Sequence, residues 1–432
     1  MENGENPMEI LNAVIARNPA KLGEVAISFI RLLRRPVGLL AMTALPFFPS
    51  LAQARVETGL DVLADSNFKT LKGRKVALIT NHTGRDVVGD STVDLLRKSK
   101  NVTLVAILSP EHGFRGDAEH GVSVGNSTDP VSGLPVYGLY GETYRPTDEM
   151  LAGADTIVFD IQDIGTRFYT YITTMGMALE EAAKRKIRFV VLDRPNPVRG
   201  DITEGDVLDP DVKRMTGYFE IPVRHALTVG EIAKWMNKTR KLGAELEIVK
   251  MKNWKRDQWY SETGLPFVPP SPNIPSETSA LLYTGIGCFE ATGLSVGRGT
   301  ATPFELFGAP WVDGRALAAH LRQQGFKGVV FEPTEFTPTK DVFKGQKCRG
   351  VRLIVTDRNE IRPFEIFVTA FLFLHAANAD ALKPVWEEVR VVTGSNRLKE
   401  AATGGWQLED LLAYYRDRAA EFAKAMVPFR LY

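Results

Sequence analysis

The most constraining feature of this chain is a series of short, nearly uniform apolar runs that alternate with segments of helical periodicity. Runs such as KVALIT (75–80), VTLVAIL (102–108) and RFVVLD (188–193) contain very few polar residues. The segment 170–186, which precedes the last of these runs, has apolar residues at helical spacing. Strands that are apolar on both faces and separated by helices are typical of a parallel sheet covered on both sides. The sequence therefore predicts an α/β fold with a Rossmann-like parallel-sheet domain.

The chain of 432 residues is long enough for two domains, each with its own apolar core. We expect the Rossmann-like domain to span residues 55–204. The rest of the chain, residues 205–432, is less regular, but it contains a predicted strand at 350–357 and an amphipathic helix at 408–426. These features predict a smaller C-terminal α/β domain.

Composition argues against several classes of protein. Hydrophobic residues make up 44% of the chain and charged residues 24%, as in soluble globular proteins. The formal net charge is +1, so the overall charge gives no reason to expect a nucleic acid or an anionic membrane as a partner. The two cysteines, Cys288 and Cys348, lack the spacing of a zinc site. The sequence does not decide whether they pair, and it indicates no oligomeric state.

Residues 1–54 have the pattern of an N-terminal leader with a signal peptide. A basic patch precedes the apolar run Val37–Phe48, and a small-x-small sequence ends at Ala54. This apolar run suits a signal peptide and is short for a membrane span, which needs about 20 residues. We expect cleavage near Ala54 and a secreted or periplasmic mature chain that starts near Arg55 and has no stable membrane span. A membrane anchor or a buried helix is the alternative interpretation.

Polar motifs follow four of the predicted strands, namely NHTGRD, SPEHGFRGD, DIQDIGTRFYTY and DRPNPVRGD. Because the carboxyl ends of parallel strands meet at one edge of a sheet, we expect these motifs to form a crevice. The first strand is not followed by G-x-G-x-x-G, and the sequence contains no P-loop, so we predict no cofactor. The candidate site residues in these motifs are Asn81, His82, Glu111, His112, Arg115, Asp160, Asp163, Arg167, Tyr169 and Tyr171.

Carboxylates, arginine and tyrosine rings in one crevice suit a carbohydrate ligand. Aromatic rings pack on the apolar face of a sugar, and carboxylates act as acid and base in glycosidic cleavage. Asp160 and Asp163, with His112 and His120, could instead hold a divalent metal ion. No HExxH or similar spacing supports a metal centre, and we predict none.

Long motifs along the chain resemble those of the exo-β-N-acetylmuramidase family, formerly known as a domain of unknown function. The matching segments are TNHTG (80–84), SPEHGFRG (109–116), FDIQDIGTRFYTYITTM (159–175), LDRPNP (192–197), PSPNIPS (270–276) and FEATGLSVGRGTATPFELFGAPW (289–311). The resemblance implies a Rossmann-like domain, a smaller C-terminal α/β domain and an active site in the cleft between them. It adds Asn273 and Arg298 to the expected substrate-binding residues.

The resemblance also implies an activity, which is the exolytic hydrolysis of β-linked N-acetylmuramic acid from the non-reducing ends of peptidoglycan fragments by two carboxylates. The matching motifs place the first carboxylate, the acid/base, at Glu111. The second is expected at Glu180, with the adjacent Glu181 as the alternative. Two other functions fit the residues alone: a non-catalytic periplasmic protein that binds muropeptides or sugars, and a metal-dependent amidase acting on the peptide stem.

N-acetylmuramic acid carries a carboxylate on its lactyl group, and a selective site needs a cation or amide donors to bind it. Guanidinium groups are suited to this because they bind a carboxylate through two parallel hydrogen bonds. The candidates are Arg167 in GTRFYTY and Arg298 in VGRGT. An internal ion pair for Arg167 and a solvated loop position for Arg298 are the alternatives.

Overall fold

A seven-stranded sheet organises the first part of the chain. The computed structural model describes residues 54–116 and 118–432, so the predicted signal peptide lies outside the described residues. The strand order is β3-β4-β2-β1-β5-β6-β7, and every neighbouring pair is parallel except β3 with β4. The predicted parallel-sheet α/β fold is therefore confirmed. The strands are β1 (Arg74–Thr80), β2 (Val102–Ser109), β3 (Ser127–Thr128), β4 (Pro135–Gly138), β5 (Thr156–Asp160), β6 (Arg188–Leu192) and β7 (Leu246–Val249).

Helices cover both faces of this sheet, which explains why its strands are uniformly apolar. They are α1 (Gly59–Asp65), α2 (Thr92–Lys98), α3 (Thr170–Arg185) and α4 (Val229–Thr239). Along β1, Val76 and Leu78 pack into one buried cluster with residues of α1 and α2. The alternate residues Ala77 and Ile79 pack into another with residues of α3 and α4. Successive side chains point to opposite faces of a strand, so both faces of this sheet require apolar residues.

The first sheet extends beyond the predicted domain boundary at residue 204. Strand β7 was expected in the second domain, but it pairs in parallel with β6, with Val191 opposite Ile248. Helix α4 lies between these two strands in the chain and contacts both, so β6, α4 and β7 form a β-α-β unit. Thr228 and Glu231 form the capping box that begins α4.

The second part of the chain contains a smaller antiparallel sheet with strand order β8-β10-β9. Its strands are β8 (Leu306–Ala309), β9 (Val329–Phe336) and β10 (Cys348–Val355). The helices of this part are α5 (Glu277–Ile286), α6 (Gly314–Gln323), α7 (Pro363–Leu382), α8 (Trp386–Thr393), α9 (Arg397–Ala402) and α10 (Leu408–Ala425). Cys288 and Cys348 are both buried and both free thiols.

Helix α7 is the one helix of the described residues that is long and apolar enough to cross a membrane, by length and composition alone. Its packing is that of a core helix. The ring of Phe367 contacts Phe289, and the ring of Phe364 contacts Tyr415 of α10. These aromatic contacts account for its unusually apolar sequence.

Residue Tyr432 ties the last segment of the chain to the first sheet through a buried carboxylate. Its hydroxyl donates a 2.8 Å hydrogen bond to Asp193, which directly follows β6, and accepts one from the backbone N–H of Met251 at 3.0 Å. Thr228 and the N–H of Gly230 also donate to Asp193. Burial raises the pKa of Asp193 to about 6 despite these donors, because no cation faces it among the described residues.

We expect Tyr432→Phe to lower the free energy of unfolding by about 1–3 kcal/mol, because a buried carboxylate loses a donor. The raised pKa of Asp193 means that its proton stabilises the folded state at low pH, and that this contribution is lost as the pH rises through about 6. The loss in Tyr432→Phe should therefore be larger at pH 8 than at pH 5, where the carboxyl is protonated. Urea unfolding at both pH values measures this difference.

The matched control for this experiment is Tyr137→Phe, because the Tyr137 hydroxyl has no hydrogen-bond partner within the described residues. Equal losses in the two variants, or a larger loss at pH 5, would contradict the role assigned to Asp193.

Candidate active site

Glu111 lies two residues beyond the end of β2, at the carboxyl edge of the parallel sheet, and its side chain is only 2% exposed. Its carboxylate accepts three hydrogen bonds. The hydroxyl of Thr170 donates to Oε2 at 2.6 Å, and the N–H of Gly121 donates to Oε1 at 3.0 Å. The Nδ1 atom of His120 lies 2.8 Å from Oε1. These donors stabilise a carboxylate that is almost completely removed from water.

Local structure explains how the chain brings these donors together. Thr170 is the first residue of α3, so its hydroxyl lies at the positive end of a sixteen-residue helix. Gly121 and His120 end a loop that folds back over Glu111. The loop is closed at His112, whose φ of 69° is left-handed and whose carbonyl accepts a hydrogen bond from the N–H of Ala118. A non-glycine residue with positive φ marks a strained position of the kind found at functional sites.

Glu111 and His120 form a charge-sharing pair. Burial by itself would raise the pKa of Glu111, but the hydrogen bond and charge of His120, with the bonds from Thr170 and Gly121, lower it to about 2. The hydrogen bond to Glu111 in turn raises the pKa of His120 above its usual value, against the opposing effect of burial. These contacts therefore favour the form of the pair in which a carboxylate faces an imidazolium.

His112 is the second imidazole of the site and has the opposite electrostatics. Burial lowers the pKa of His112, so the ring is neutral at neutral pH. Its Nδ1 lies 2.8 Å from the carbonyl oxygen of Ala118, which assigns the proton to Nδ1 and the lone pair to Nε2. The ring also meets Tyr171 edge-on, with centroids 6.5 Å apart.

A cavity of about 20 Å³, partly open to solvent, lies beside this pair. One water molecule needs about 10–15 Å³ of such space, so the cavity as it stands has room for about one water and not for a sugar ring. The walls combine titratable, hydroxyl, amide and aromatic side chains from both parts of the fold. The lining residues are Glu111, His112, His120, Phe168, Tyr169, Thr170, Ser271, Asn273, Ile274, Tyr283, Arg298 and Phe304.

Tyr169 connects two groups of aromatic rings at this cavity. Its ring lies edge-on to Tyr171 at 4.8 Å and to Tyr283 at 6.1 Å. Tyr171 does not line the cavity. Its hydroxyl donates to the carbonyl of Pro270 at 2.8 Å. It supports Tyr169 and the segment that carries Asn273.

Arg298 and Glu290 form an ion pair on the wall contributed by the second part of the chain. The Nε of Arg298 donates to Glu290 and lies 3.7 Å from the carboxylate of Asp341. The two terminal nitrogens of Arg298 have no hydrogen-bond partner within the described residues. One of the five N–H groups of the guanidinium, that of Nε, thus faces carboxylates, and the four on the terminal nitrogens remain for a ligand at the cavity.

Of the residues predicted from the sequence, the structure brings five together at this cavity, namely Glu111, His112, Tyr169, Asn273 and Arg298. The remaining predicted residues lie elsewhere.

The predicted aspartates are structural acceptors at the sheet edge. Asp160 is fully buried and binds the guanidinium of Arg194 through Nε at 2.5 Å and Nη2 at 3.0 Å. Asp163 accepts the N–H of Gly165 at 2.7 Å and lies 3.4 Å from the ring of the buried His225. Neither aspartate lines the cavity with His112 and His120.

Asn81, His82 and Arg115 line a separate pocket of about 270 Å³ at the end of β1. Asn81 accepts hydrogen bonds from the N–H and hydroxyl of Thr83. His82 lies 2.7 Å from the carbonyl of Pro269 and packs under Gly116, where a Cβ would fall 2.0 Å from the ring. Through the contact of His82 with Gly116, this group supports the loop that follows Glu111.

Arg167 is not available to a ligand. Its side chain is fully buried, and its two terminal nitrogens donate to four backbone carbonyls. The acceptors are the carbonyls of Asp206, Ile221, Val391 and Val392. The predicted alternative of an ion pair with Asp160 or Asp163 is also not formed, because these carbonyls take the guanidinium.

The structure does not bring Glu180 or Glu181 to Glu111. Glu180 pairs with Arg145 at 2.8 Å and Arg240 at 3.3 Å, and Glu181 binds Lys184 and Arg185 of its own helix. Glu180 is also ten residues along α3 from Thr170, which is about 15 Å at the rise of a helix. Paired glycosidase carboxylates are about 5–10 Å apart.

Sequence reasoning missed several residues of the cavity. Thr170 stands inside the RFYTYITTM motif, and Glu290, which binds Arg298 of the cavity lining, stands inside the FEATG motif, so the motifs themselves contained the signal. Ser271 and Asn273 share the PSPNIPS motif. His120 was considered only as a metal ligand, although it is part of the same short loop as Glu111.

One group of side chains has the composition of a metal site. Glu111, His112 and His120 offer ligand atoms that all lie within 4.8 Å of one another. The direct 2.8 Å contact between Glu111 and His120 uses their facing atoms for a hydrogen bond, however. We therefore treat the group as a proton-transfer site, and a chelator experiment below distinguishes the two.

Two family models match the chain in succession. The model described as exo-β-N-acetylmuramidase NamZ, N-terminal, matches residues 76–278, and its C-terminal counterpart matches residues 281–432. Their junction lies later than the boundary at residue 204 that we predicted. The chain is also 40% identical over 389 residues to the peptidoglycan β-N-acetylmuramidase NamZ of Bacillus subtilis (strain 168), covering 88% of this chain and 92% of that protein.

Two solved structures share the fold. Both are DUF1343 family proteins from Bacteroides fragilis NCTC 9343. The first has a TM-score of 0.81 at 39% identity and the second a TM-score of 0.70 at 27% identity. In each comparison, the match covers 88% of this chain and 99% of the solved chain.

Proposed function

Because the chain belongs to the exo-β-N-acetylmuramidase NamZ family, we propose that it removes β-linked N-acetylmuramic acid from the non-reducing ends of peptidoglycan fragments. Membership of this family makes the chain a glycoside hydrolase. The observation that carries the proposal is the buried Glu111 carboxylate, paired with His120 at 2.8 Å, in a cavity walled by tyrosine rings and polar side chains. Such a pair exchanges a proton with a glycosidic oxygen, and the rings pack on a sugar.

The hydrolysis uses two carboxylates, and Glu290 is the second. Its charge acts on His120 and Tyr283, which both line the cavity, and it raises the pKa of each of these groups. It belongs to the short helical turn Gly287–Ala291 and is held by Arg298, which lines the cavity. Glu111 acts on the side of the leaving group, and Glu290 acts on the water or on the anomeric carbon.

Arg298 binds the lactyl carboxylate that distinguishes N-acetylmuramic acid from N-acetylglucosamine. Its terminal nitrogens have no partner within the described residues, and its side chain lines the cavity. Asn273 and Tyr169, on the same cavity, supply the polar groups suited to sugar hydroxyls and the acetamido group.

We expect the chain to be exported, because peptidoglycan lies outside the cytoplasm. Analysis by mass of the protein from its native host should give an N-terminus near Arg55. A product that retains Met1 would contradict export by a cleaved signal peptide.

One assay separates this function from its two rivals. The mature protein is incubated with the disaccharide of N-acetylmuramic acid and N-acetylglucosamine, with and without EDTA, and released sugar is quantified. Turnover that EDTA does not change supports the hydrolase. Binding without turnover would instead indicate a sugar-binding protein, and cleavage of a stem peptide that EDTA abolishes would indicate a metal-dependent amidase on the Glu111, His112 and His120 group.

We expect Glu111→Gln to reduce kcat by roughly 10²–10⁴-fold, because the change keeps the shape of the side chain and removes its charge. Glu290→Gln should cause a loss of similar order. Glu180→Gln is the matched control, since this residue pairs with arginines outside the cavity. Circular dichroism checks that each variant is folded. Near-full turnover by Glu111→Gln, or loss only in Glu180→Gln, would reject the assignment.

Arg298→Met should lower kcat/KM for an aryl N-acetylmuramide by roughly ten- to a hundred-fold more than for the matching aryl N-acetylglucosaminide. A charge-assisted hydrogen bond contributes about 1.5–3 kcal/mol, and only the muramide has the carboxylate that loses it. The ratio of the two kcat/KM values cancels any shared effect through Glu290. Equal losses on both substrates would mean that the lactyl group is bound elsewhere.

A further inference from the structure

The two nitrogens of the His120 ring have different surroundings. Nδ1 lies 2.8 Å from Glu111 Oε1, whereas Nε2 has no hydrogen-bond partner within the described residues. The His120 side chain is 49% exposed and also lines the cavity. One edge of the ring is thus fixed by a buried carboxylate, and the other is free to meet an incoming molecule.

Glu111, in contrast, is enclosed by its own donors. Thr170 occupies Oε2, while Gly121 and His120 occupy Oε1. A carboxyl group that donates a proton must carry that proton on an oxygen facing the substrate. With three donors on about four acceptor positions and 2% of its side chain exposed, Glu111 presents less of itself to a substrate than His120 does.

We propose that His120 is the general acid of the hydrolysis and donates its Nε2 proton to the glycosidic oxygen, with Glu111 as the positioning residue that orients the ring and stabilises its charge. This inference rests on the proposed function and assigns the proton within it. A histidine oriented and charged by a buried carboxylate follows the logic of catalytic triads, in which the carboxylate acts through the imidazole.

In the proposed step, the bond between the anomeric carbon and the glycosidic oxygen breaks. The electron pair stays on the leaving oxygen, which takes the proton from Nε2 and leaves His120 neutral. The oxygen of water forms the new bond to the anomeric carbon. The proton that water releases returns to the Glu111–His120 pair through solvent, so no oxidant, reductant or further reactant is needed.

The charged groups that face His120 favour this role. Glu111 and Glu290 stabilise the imidazolium, and Arg298 opposes them more weakly. The neighbouring His112 is neutral at neutral pH, because burial lowers its pKa. Two carboxylates against one guanidinium keep His120 protonated up to a pH above its usual range. Glu111, with a pKa of about 2, carries no proton at that pH.

The position of His120 also fits the route by which a sugar enters. The cavity of about 20 Å³ is too small for a sugar, so a wall must yield. Phe168, Tyr169 and Thr170 are fixed at the start of α3, whereas His120 is on a loop whose neighbour Glu119 binds Lys340 through an exposed ion pair. Exposed pairs contribute about 0–1 kcal/mol, so this pair restrains the loop little, while the contact of Nδ1 with Glu111 keeps the ring oriented with Nε2 available to the ligand.

The test compares two leaving groups. In the disaccharide of N-acetylmuramic acid and N-acetylglucosamine, the leaving oxygen must be protonated. In 4-nitrophenyl N-acetylmuramide, the leaving group is 4-nitrophenolate, which is stable without a proton. We expect His120→Gln to lower kcat/KM by roughly 10²–10⁴-fold on the disaccharide and far less on the nitrophenyl substrate. His320→Gln, on α6 away from the cavity, is the control and should change neither.

The pH profile adds a readout that a merely structural role would not change. A general acid works only when protonated, so wild-type activity on the disaccharide should fall as the pH rises through the pKa of His120. This limb should be absent from His120→Gln. In Glu111→Gln it should move to lower pH, because the carboxylate that raises the pKa of His120 is gone.

Equal losses on both substrates, or an unchanged alkaline limb in His120→Gln, would overturn the role of His120. A wild-type protein that hydrolyses neither substrate would instead reject the proposed function, so the two failures are distinguishable.

Discussion

Burial of the Glu111 carboxylate is the interaction on which the site depends. An ionised carboxylate removed from water is costly unless donors replace its hydration. Here the donors come from three places, which are the first turn of α3, the backbone at Gly121 and the ring of His120. The need to satisfy one charge thus fixes the loop after β2 against α3. The same set of contacts therefore stabilises the fold and prepares a proton-transfer pair.

A second buried carboxylate, Asp160, helps to hold the strand-end loops of the same sheet edge. Asp160 at the end of β5 binds Arg194, which follows β6, and Arg194 also donates to the carbonyl of Arg85 in the loop after β1. One guanidinium thereby joins three strand-end loops of the sheet. Removing either partner would leave an unpaired charge where no water reaches, a loss of about 3–5 kcal/mol in comparable buried pairs. These contacts explain why polar motifs at strand ends can be structural and still lie next to an active site.

Local pattern was sufficient to predict the fold class and the edge of the sheet that carries the site, because strand and helix periodicity are properties of neighbouring residues. Local pattern was not sufficient to decide which of the two arginines, Arg167 or Arg298, is available to a ligand. Both stand in short motifs with glycine nearby, but the acceptors of Arg167 include Val391 and Val392, more than 220 positions along the chain. The same limit applies to Glu180, whose partners Arg145 and Arg240 come from other segments. Which polar residue faces a cavity is decided by such long-range contacts.

The first strand–helix turn explains why this Rossmann-like sheet uses another strand end for its chemistry. In dinucleotide-binding proteins, that turn is glycine-rich and the helix N-terminus binds a phosphate. In this chain the side chain of Ser91 caps α2 by accepting the N–H of Asp94, and Thr92 donates to the carboxylate of Asp160. A carboxylate of the protein therefore takes the hydrogen bond at this helix N-terminus that an anionic ligand would otherwise take. The chemistry moves to the adjacent β2, whose end presents Glu111, so the fold keeps its ligand-binding edge while the residues on it select a different reaction.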